Sequence, residues 1–88
     1  MKLNSNYILK DFAGEYVLVK QNESSVDFSK VITLNGMGVF IYHLLEKGKS
    51  EEEIVDSILK EYDVERSIAE KDVKEFLEKM EKIGILHE

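Results

Sequence analysis

The stretch that most constrains this chain is residues 30–45, KVITLNGMGVFIYHLL, because the spacing of its apolar residues changes within it. Residues 31–34 are β-branched or apolar, which is the composition of a half-buried strand. Residues 35–36, Asn-Gly, interrupt this run. From Val39 onward the apolar residues are too dense for a surface helix and are typical of a central one. We therefore expect a strand, a break and a buried helix, with the core and the functional site at this junction.

The residues before this junction predict a small sheet. Residues 7–12 and 15–20 have strand composition and flank a turn at Ala13-Gly14. A polar loop at residues 21–25 leads to a third strand at residues 28–34. Three strands in so short a space favour an antiparallel meander. Such a sheet has at least one open edge, with unpaired N–H and C=O groups.

The residues after the junction predict three helices. Gly48 is placed to end the first helix as a left-handed C-cap. Residues 50–53, Ser-Glu-Glu-Glu, form a capping box for the second helix, and residues 67–70, Ser-Ile-Ala-Glu, form one for the third. Gly84 ends the third helix, and the apolar residues after it fold back onto the core. The order predicts a winged-helix-like α+β domain, a three-stranded antiparallel sheet followed by three helices, as a single domain over residues 1–88.

Composition excludes several classes of protein. The chain has no cysteine, which excludes disulfides and thiolate chemistry. It has no apolar run of the length that crosses a membrane, and its first residues lack the apolar core of a signal peptide. We expect a cytoplasmic protein without a membrane partner.

Catalytic signals are also weak. His43 lies within the apolar first helix and His87 is the penultimate residue, and neither belongs to a metal-spaced cluster. The acidic run at residues 51–53 lies at a helix start, where the macrodipole favours negative charge. The glycines form no phosphate-binding motif. We expect no catalytic residue, no metal and no cofactor.

A winged-helix fold raises the question of DNA binding, but the charges oppose it. Residues 35–88 carry 14 acidic and 8 basic side chains, so the whole net charge of −6 lies there. Residues 65–83, the predicted third helix, interleave six acidic with five basic side chains. This interleaving predicts i,i+4 ion pairs on a solvated face, namely Glu70–Lys74, Glu75–Lys79 and Glu78–Lys82. Affinity for nucleic acid depends on neutralising phosphates, which an acidic domain does not do. A DNA-binding winged-helix regulator is therefore the alternative function, and we expect no nucleic-acid partner.

Peptide recognition fits the predicted elements better. An open strand edge beside a helix forms a groove to which an extended peptide adds as a further strand. From the residues alone, a peptide-binding edge and a plain structural edge are equally well supported. A scaffold for a partner enzyme that binds no peptide is a third possibility.

The order and spacing of several segments resemble the PqqD-like family. These segments are LNGMG at residues 34–38, FIYHLLEKG at 40–48, SEEEIV at 50–55, EYDV at 61–64, DVKEFL at 72–77 and GIL at 84–86. The similarity extends over about residues 7–86. Such domains serve pathways that make ribosomally synthesised, post-translationally modified peptides, and are called RiPP recognition elements.

The resemblance implies a non-catalytic, leader-binding protein. Family members bind the leader of a precursor peptide and present it to a modifying enzyme, such as a radical-SAM enzyme, a cyclase or a leader peptidase. The leader adds as a strand to the third strand of the sheet and rests on the third helix. In this sequence the implied peptide-binding residues are Ser29, Lys30, Val31, Ile32, Thr33, Leu34, Ala69, Asp72, Phe76 and Lys79. Since an exposed edge can pair with a second copy, we expect a monomer or weak homodimer.

Two positions depart from the family pattern. Members commonly have Trp at the position of Tyr42, and Ser, Thr or Ala at that of Met37 or Gly38. Tyr42 keeps the aromatic volume, so we expect the core to be retained. Glycines at the start of the first helix weaken it by about 1 kcal/mol each relative to Ala. We expect neither departure to touch the groove.

Overall fold

The computed structural model describes the backbone of residues 1–21 and 26–87, and the side chains of residues 1–21 and 31–87. The predicted loop at residues 22–25 and the side chains of Ser29 and Lys30 lie outside the described part. The elements in chain order are β1 (Lys2–Leu3), β2 (Tyr7–Phe12), β3 (Glu15–Gln21), β4 (Val26–Leu34), α1 (Gly36–Glu46), α2 (Glu51–Glu61), α3 (Arg66–Ile83) and β5 (Leu86–His87).

The predicted three-stranded antiparallel meander is confirmed. Its strand order is β2-β3-β4, so β3 is central. Ala13 and Gly14 connect β2 to β3 with φ angles of 56° and 85°, the positive values that a two-residue hairpin turn requires. Leu18 of β3 is paired with Leu9 on one side and Ile32 on the other. These three side chains pack on the face that the helices cover.

Helix α1 begins at Gly36, three residues before the dense apolar run that starts at Val39. The predicted break is its N-cap, because Oδ1 of Asn35 accepts a hydrogen bond from the Gly38 N–H at 2.8 Å. An Asn side chain in this role satisfies one of the free donors at a helix start. At the other end Gly48 has a φ of 78°, as the predicted left-handed C-cap requires. The first helix therefore starts at the end of β4, with one residue between them.

One of the two predicted capping boxes is confirmed and the other is wrong. Oγ of Ser50 accepts from the Glu53 N–H at 3.2 Å, while Oε1 of Glu53 accepts from the Ser50 N–H at 2.9 Å. Helix α3 instead begins at Arg66, so Ser67 lies inside its first turn, and no side chain caps that helix. The Arg66 guanidinium forms an ion pair with Asp56 of α2, which ties the start of α3 to its neighbour.

The core lies between the inner face of the sheet and the three helices. Its fully buried members include Leu18 of β3, Ile41 of α1, Ile54 and Ile58 of α2, and Met80 of α3. Tyr42 is 3% exposed and belongs to the same cluster, as expected from its aromatic volume. Burial raises the pKa of Tyr42, and the nearby Glu46 carboxylate raises it further. Among the described residues, none forms a helix both long and apolar enough to cross a membrane.

A second, two-stranded sheet joins the two ends of the described chain, and the sequence did not predict it. Leu3 of β1 pairs with Leu86 of β5. The Asn4 N–H donates to the Ile85 carbonyl at 2.7 Å, and Nδ2 of Asn4 donates to the Gly84 carbonyl at 3.1 Å. Gly84 ends α3 with a φ of 94° and turns the chain back. The predicted return of Ile85 and Leu86 to the core is thereby confirmed, since both are buried.

Candidate peptide-binding groove

Strand β4 has one side free of pairing within the described residues. It pairs with β3 and ends the strand order of its sheet. Val31 and Thr33 are exposed, whereas Ile32 is half-buried and Leu34 is buried. This alternation follows from the period-two geometry of a strand with one covered face. An unpaired edge of this kind presents backbone donors and acceptors to a further strand.

Beside the end of β4, a cleft runs between α1 and α3. It consists of two cavities of about 390 Å³ and about 120 Å³. Asn35, Gly38, Phe76 and Lys79 line both cavities, so the two adjoin. We call this cleft the strand–helix groove and define it by its lining residues, Thr33, Leu34, Asn35, Met37, Gly38, Ile41, Asp72, Glu75, Phe76, Lys79 and Met80.

The approach of the Phe76 ring of α3 to Gly38 of α1 shapes the wall of the groove. A Cβ atom at Gly38 would lie 3.3 Å from Cε2 of Phe76 and 3.4 Å from Cβ of Leu34. Both distances are tight for carbon atoms, which prefer about 3.5–4.0 Å. The absence of a side chain at Gly38 therefore lets the half-buried Phe76 ring lie directly against the start of α1.

The charges of the groove are separated by sign. Lys79 lines both cavities, whereas Asp72 and Glu75 line only the larger one. All three side chains are exposed. The end of the groove next to β4 therefore has the cation alone, and the two acidic side chains lie toward the start of α3.

The ion pairs predicted for the third helix are not formed. Ion pairs instead join Lys49 to Glu53 and Arg66 to both Asp56 and Glu70, and Nδ1 of His43 is hydrogen-bonded to Oε1 of Glu46. The prediction failed because i,i+4 spacing permits a contact without requiring it, and exposed side chains gain little from making one. The three charges of the groove are thus not neutralised by neighbouring described residues.

The groove presents a small set of polar side chains to a ligand. The polar side chains that line the groove are Thr33, Asn35, Asp72, Glu75 and Lys79, without a histidine, cysteine or serine. In the part of the chain that the structure describes, acidic and histidine side chains form no cluster that could hold a metal ion. The groove offers an apolar floor, backbone hydrogen bonds at the strand edge and charged side chains of both signs.

The structure brings five of the implied peptide-binding residues together. Thr33, Leu34, Asp72, Phe76 and Lys79 all line the strand–helix groove.

The other five lie elsewhere or are only partly described. Ile32 packs against the core. Val31 lines a separate cavity with Phe12, on the sheet face away from the helices. Ala69 is 1% exposed and belongs to the core. The backbone of Ser29 and Lys30 forms part of β4.

Six residues of the groove were not identified from the sequence, namely Asn35, Met37, Gly38, Ile41, Glu75 and Met80. The expectation that Met37 and Gly38 lie away from the groove is wrong, because both line it. Helical spacing could have found Glu75, since it lies three residues after Asp72 on the same side of α3. No comparable signal marks α1, because its contact with α3 joins residues far apart in the chain.

This chain is similar to one known protein family and to two solved structures. The family model for coenzyme PQQ synthesis protein D (PqqD) matches residues 15–86. The solved structure of TbiB1 in complex with the TbiA(beta) leader peptide is similar over 99% of this chain and 95% of that chain, with a TM-score of 0.81 and 32% sequence identity. The structure of lasso peptide synthetase B1 complexed with the leader peptide covers 96% of this chain and 93% of that chain, with a TM-score of 0.78. Its identity of 23% supports the fold alone. Comparison with curated protein sequences finds no match.

Proposed function

We propose that this chain, which belongs to the PqqD family, captures the leader of a ribosomally made precursor peptide and presents it to a modifying enzyme. The leader adds as a strand to the free edge of β4 and continues into the strand–helix groove. The observation that carries the proposal is that the unpaired edge of β4 lies next to a groove with an apolar floor and charged side chains. TbiB1, at 32% identity, has the same fold and is solved with a leader peptide bound.

The free energy available from these contacts is sufficient for useful affinity. About four to six main-chain hydrogen bonds at the strand edge give roughly 1 kcal/mol each. Two apolar side chains buried in the groove add roughly 1.5–3 kcal/mol each. Association entropy and ordering of the peptide offset part of this sum. A dissociation constant in the micromolar range or somewhat below follows.

We propose that the chain takes no catalytic part itself and acts as one domain over residues 1–88. The groove holds and orients the leader, while the chemistry belongs to a partner, a radical-SAM enzyme, a cyclase or a leader peptidase. Support comes from the polar groups of the groove, among which no nucleophile lies beside a histidine base. Because precursor peptides are made on ribosomes, we place this work in the cytoplasm.

The test is an NMR titration of isotope-labelled protein with the synthetic leader of the short precursor encoded nearest to its gene. Saturable amide shifts confined to residues 31–34 and to the groove-lining parts of α1 and α3 are expected. A scrambled leader of the same composition is the control for the peptide. A well-dispersed spectrum that does not change at high leader concentration would contradict the proposal, and duplex DNA would then be the next titrant.

A matched pair of phenylalanine variants tests where the leader binds. Phe76→Ala removes the floor of the groove and should weaken leader binding by at least tenfold. Phe12 is 63% exposed on the sheet face away from the helices, so Phe12→Ala should leave the affinity unchanged. Equal losses in the two variants would place the leader outside the groove.

A further inference from the structure

We propose, on the basis of the proposed function, that the strand–helix groove selects its leader by the order of charges along the bound segment. An acidic side chain lies beside Lys79, an apolar side chain lies on Phe76, and a basic side chain lies beside Asp72 and Glu75. The partner is therefore a peptide in which acidic, apolar and basic residues follow one another closely in this order along the groove.

The order follows from which residues line each end of the groove. The smaller cavity, next to Thr33 and Leu34 of β4, contains Lys79 but neither acidic residue. Asp72 and Glu75 line only the larger cavity, farther from the strand. Phe76 lines both cavities, as Lys79 does, and along α3 it lies between Asp72 and Lys79.

The distances along α3 set the spacing in the peptide. With a rise of about 1.5 Å per residue, Lys79 lies roughly 6 Å along the helix axis from Glu75 and roughly 10 Å from Asp72. An extended peptide advances about 3.3 Å per residue. For a leader segment that follows the axis of α3, the acidic and basic residues are therefore about two to three residues apart.

The three charges are available to a ligand. All are exposed, and the ion pairs within the described residues involve other side chains. A ligand that supplies the opposite charges gains two attractions. A ligand with the reverse order meets like charge at both ends, and this repulsion is what rejects it.

The experiment is a selection of phage-displayed random peptides on three forms of the full chain, namely the wild type, Lys79→Glu and the double variant Asp72→Lys/Glu75→Lys. Enriched peptides are then synthesised, and their affinities are measured at low and high salt. Lys74→Glu and the double variant Glu78→Lys/Glu81→Lys are the controls. They make the same charge changes at exposed positions of α3 that do not line the groove.

Peptides enriched on the wild type should carry an acidic residue, an apolar residue and a basic residue in one consistent order. Each groove variant should weaken their binding about tenfold at low salt, with the loss shrinking at high salt because the charges are exposed. The groove variants should also enrich peptides with the corresponding charge reversed. The control variants should enrich the same peptides as the wild type.

Two results overturn the inference and are distinguishable. Enriched peptides that shift the groove amides but show no consistent charge order contradict charge selection and leave the proposed function standing. The second result is that no peptide binds the wild type better than Phe76→Ala. That result would contradict both the proposed function and the inference.

Discussion

Gly38 of α1 and Phe76 of α3 meet so closely that a single methyl group would fill the space between them. A Cβ atom at Gly38 would lie 3.3 Å from Cε2 of the Phe76 ring. The two residues are 38 positions apart in the chain, and their contact fixes how α1 and α3 enclose the strand–helix groove. Any side chain at Gly38 must therefore displace the ring that forms the floor of the groove.

The first prediction compares Gly38→Ala with Gly36→Ala. Both replace a helical glycine, which by propensity alone stabilises a helix by up to about 1 kcal/mol. A Cβ at Gly36 would meet no atom within 4 Å, so Gly36→Ala should raise the free energy of unfolding and leave leader affinity unchanged. Gly38→Ala should raise the free energy of unfolding by less than Gly36→Ala does. It should also shift the ring resonances of Phe76 and weaken leader binding. Urea denaturation, NMR and a leader titration measure these effects, and identical behaviour of the two variants would contradict the contact.

The same contact explains why the sequence predicted only part of the groove. Period-two and helical spacing predicted β4 and α3 as elements, and the family resemblance implied which of their residues bind the peptide. Nothing in the sequence near Met37 or Gly38 indicates that Phe76 lies opposite. Which distant residues meet depends on the crossing angle of the helices, and a single sequence does not give that angle directly.

Errors at the helix starts have a local cause. Asn-Gly at residues 35–36 is a common turn sequence, so the pattern predicted a break, whereas the Asn35 side chain caps α1. Ser67 lies three residues before Glu70, as a capping box requires. Helix α3 starts at Arg66, one residue before Ser67, and Arg66 forms an ion pair with Asp56. Ser67 therefore lies within the helix and not at its N-cap.

The second prediction tests strand addition through the backbone of β4. Adjacent residues of a strand direct their N–H groups to opposite sides, so Ile32→Pro and Thr33→Pro remove donors from opposite edges. The variant that removes the N–H facing β3 loses a hydrogen bond within the sheet, so its free energy of unfolding should be clearly lower. The variant that removes the N–H facing the free edge keeps the sheet, but it should no longer bind the leader. If both variants fold and retain full leader affinity, strand addition is wrong.

The third prediction concerns the sheet that joins β1 to β5. Leu86 is buried in the core, so Leu86→Ala should lower the free energy of unfolding by about 2–5 kcal/mol. Asn4→Ala removes two hydrogen bonds, the one that Nδ2 donates to the Gly84 carbonyl and the one that Oδ1 accepts from the Asn6 N–H, and should cost about 1–2 kcal/mol. Lys2→Ala, at an exposed position of β1, should change stability by less than about 0.5 kcal/mol. Urea denaturation measures all three, and an unchanged midpoint for Asn4→Ala would show that these two bonds contribute nothing to stability.

The fourth prediction contrasts two serines that the sequence treats alike. Ser50 caps α2 through its hydroxyl, so Ser50→Ala should lower the free energy of unfolding by about 0.5–2 kcal/mol. Ser67 makes no cap at α3, so Ser67→Ala should have little effect. Thermal or urea denaturation of both variants distinguishes them, and equal losses would mean that both capping boxes form in solution.

The fifth prediction is the pH dependence of the Ser50–Glu53 capping box. Hydrogen bonds from the backbone and then the hydroxyl of Ser50 lower the pKa of Glu53 below its ordinary value of 4.5. The folded state therefore favours the ionised carboxylate, and its contribution to stability is complete above pH 4.5. That contribution disappears as the pH falls through the lowered pKa of the folded state. Glu53→Gln should accordingly be less stable than the wild type at neutral pH, and the difference should vanish in acid.

Denaturation across this pH range measures the difference, with Glu70→Gln as the matched control from the box that does not form. A Glu53→Gln deficit that is independent of pH would show that the ionised carboxylate is not what stabilises the start of α2.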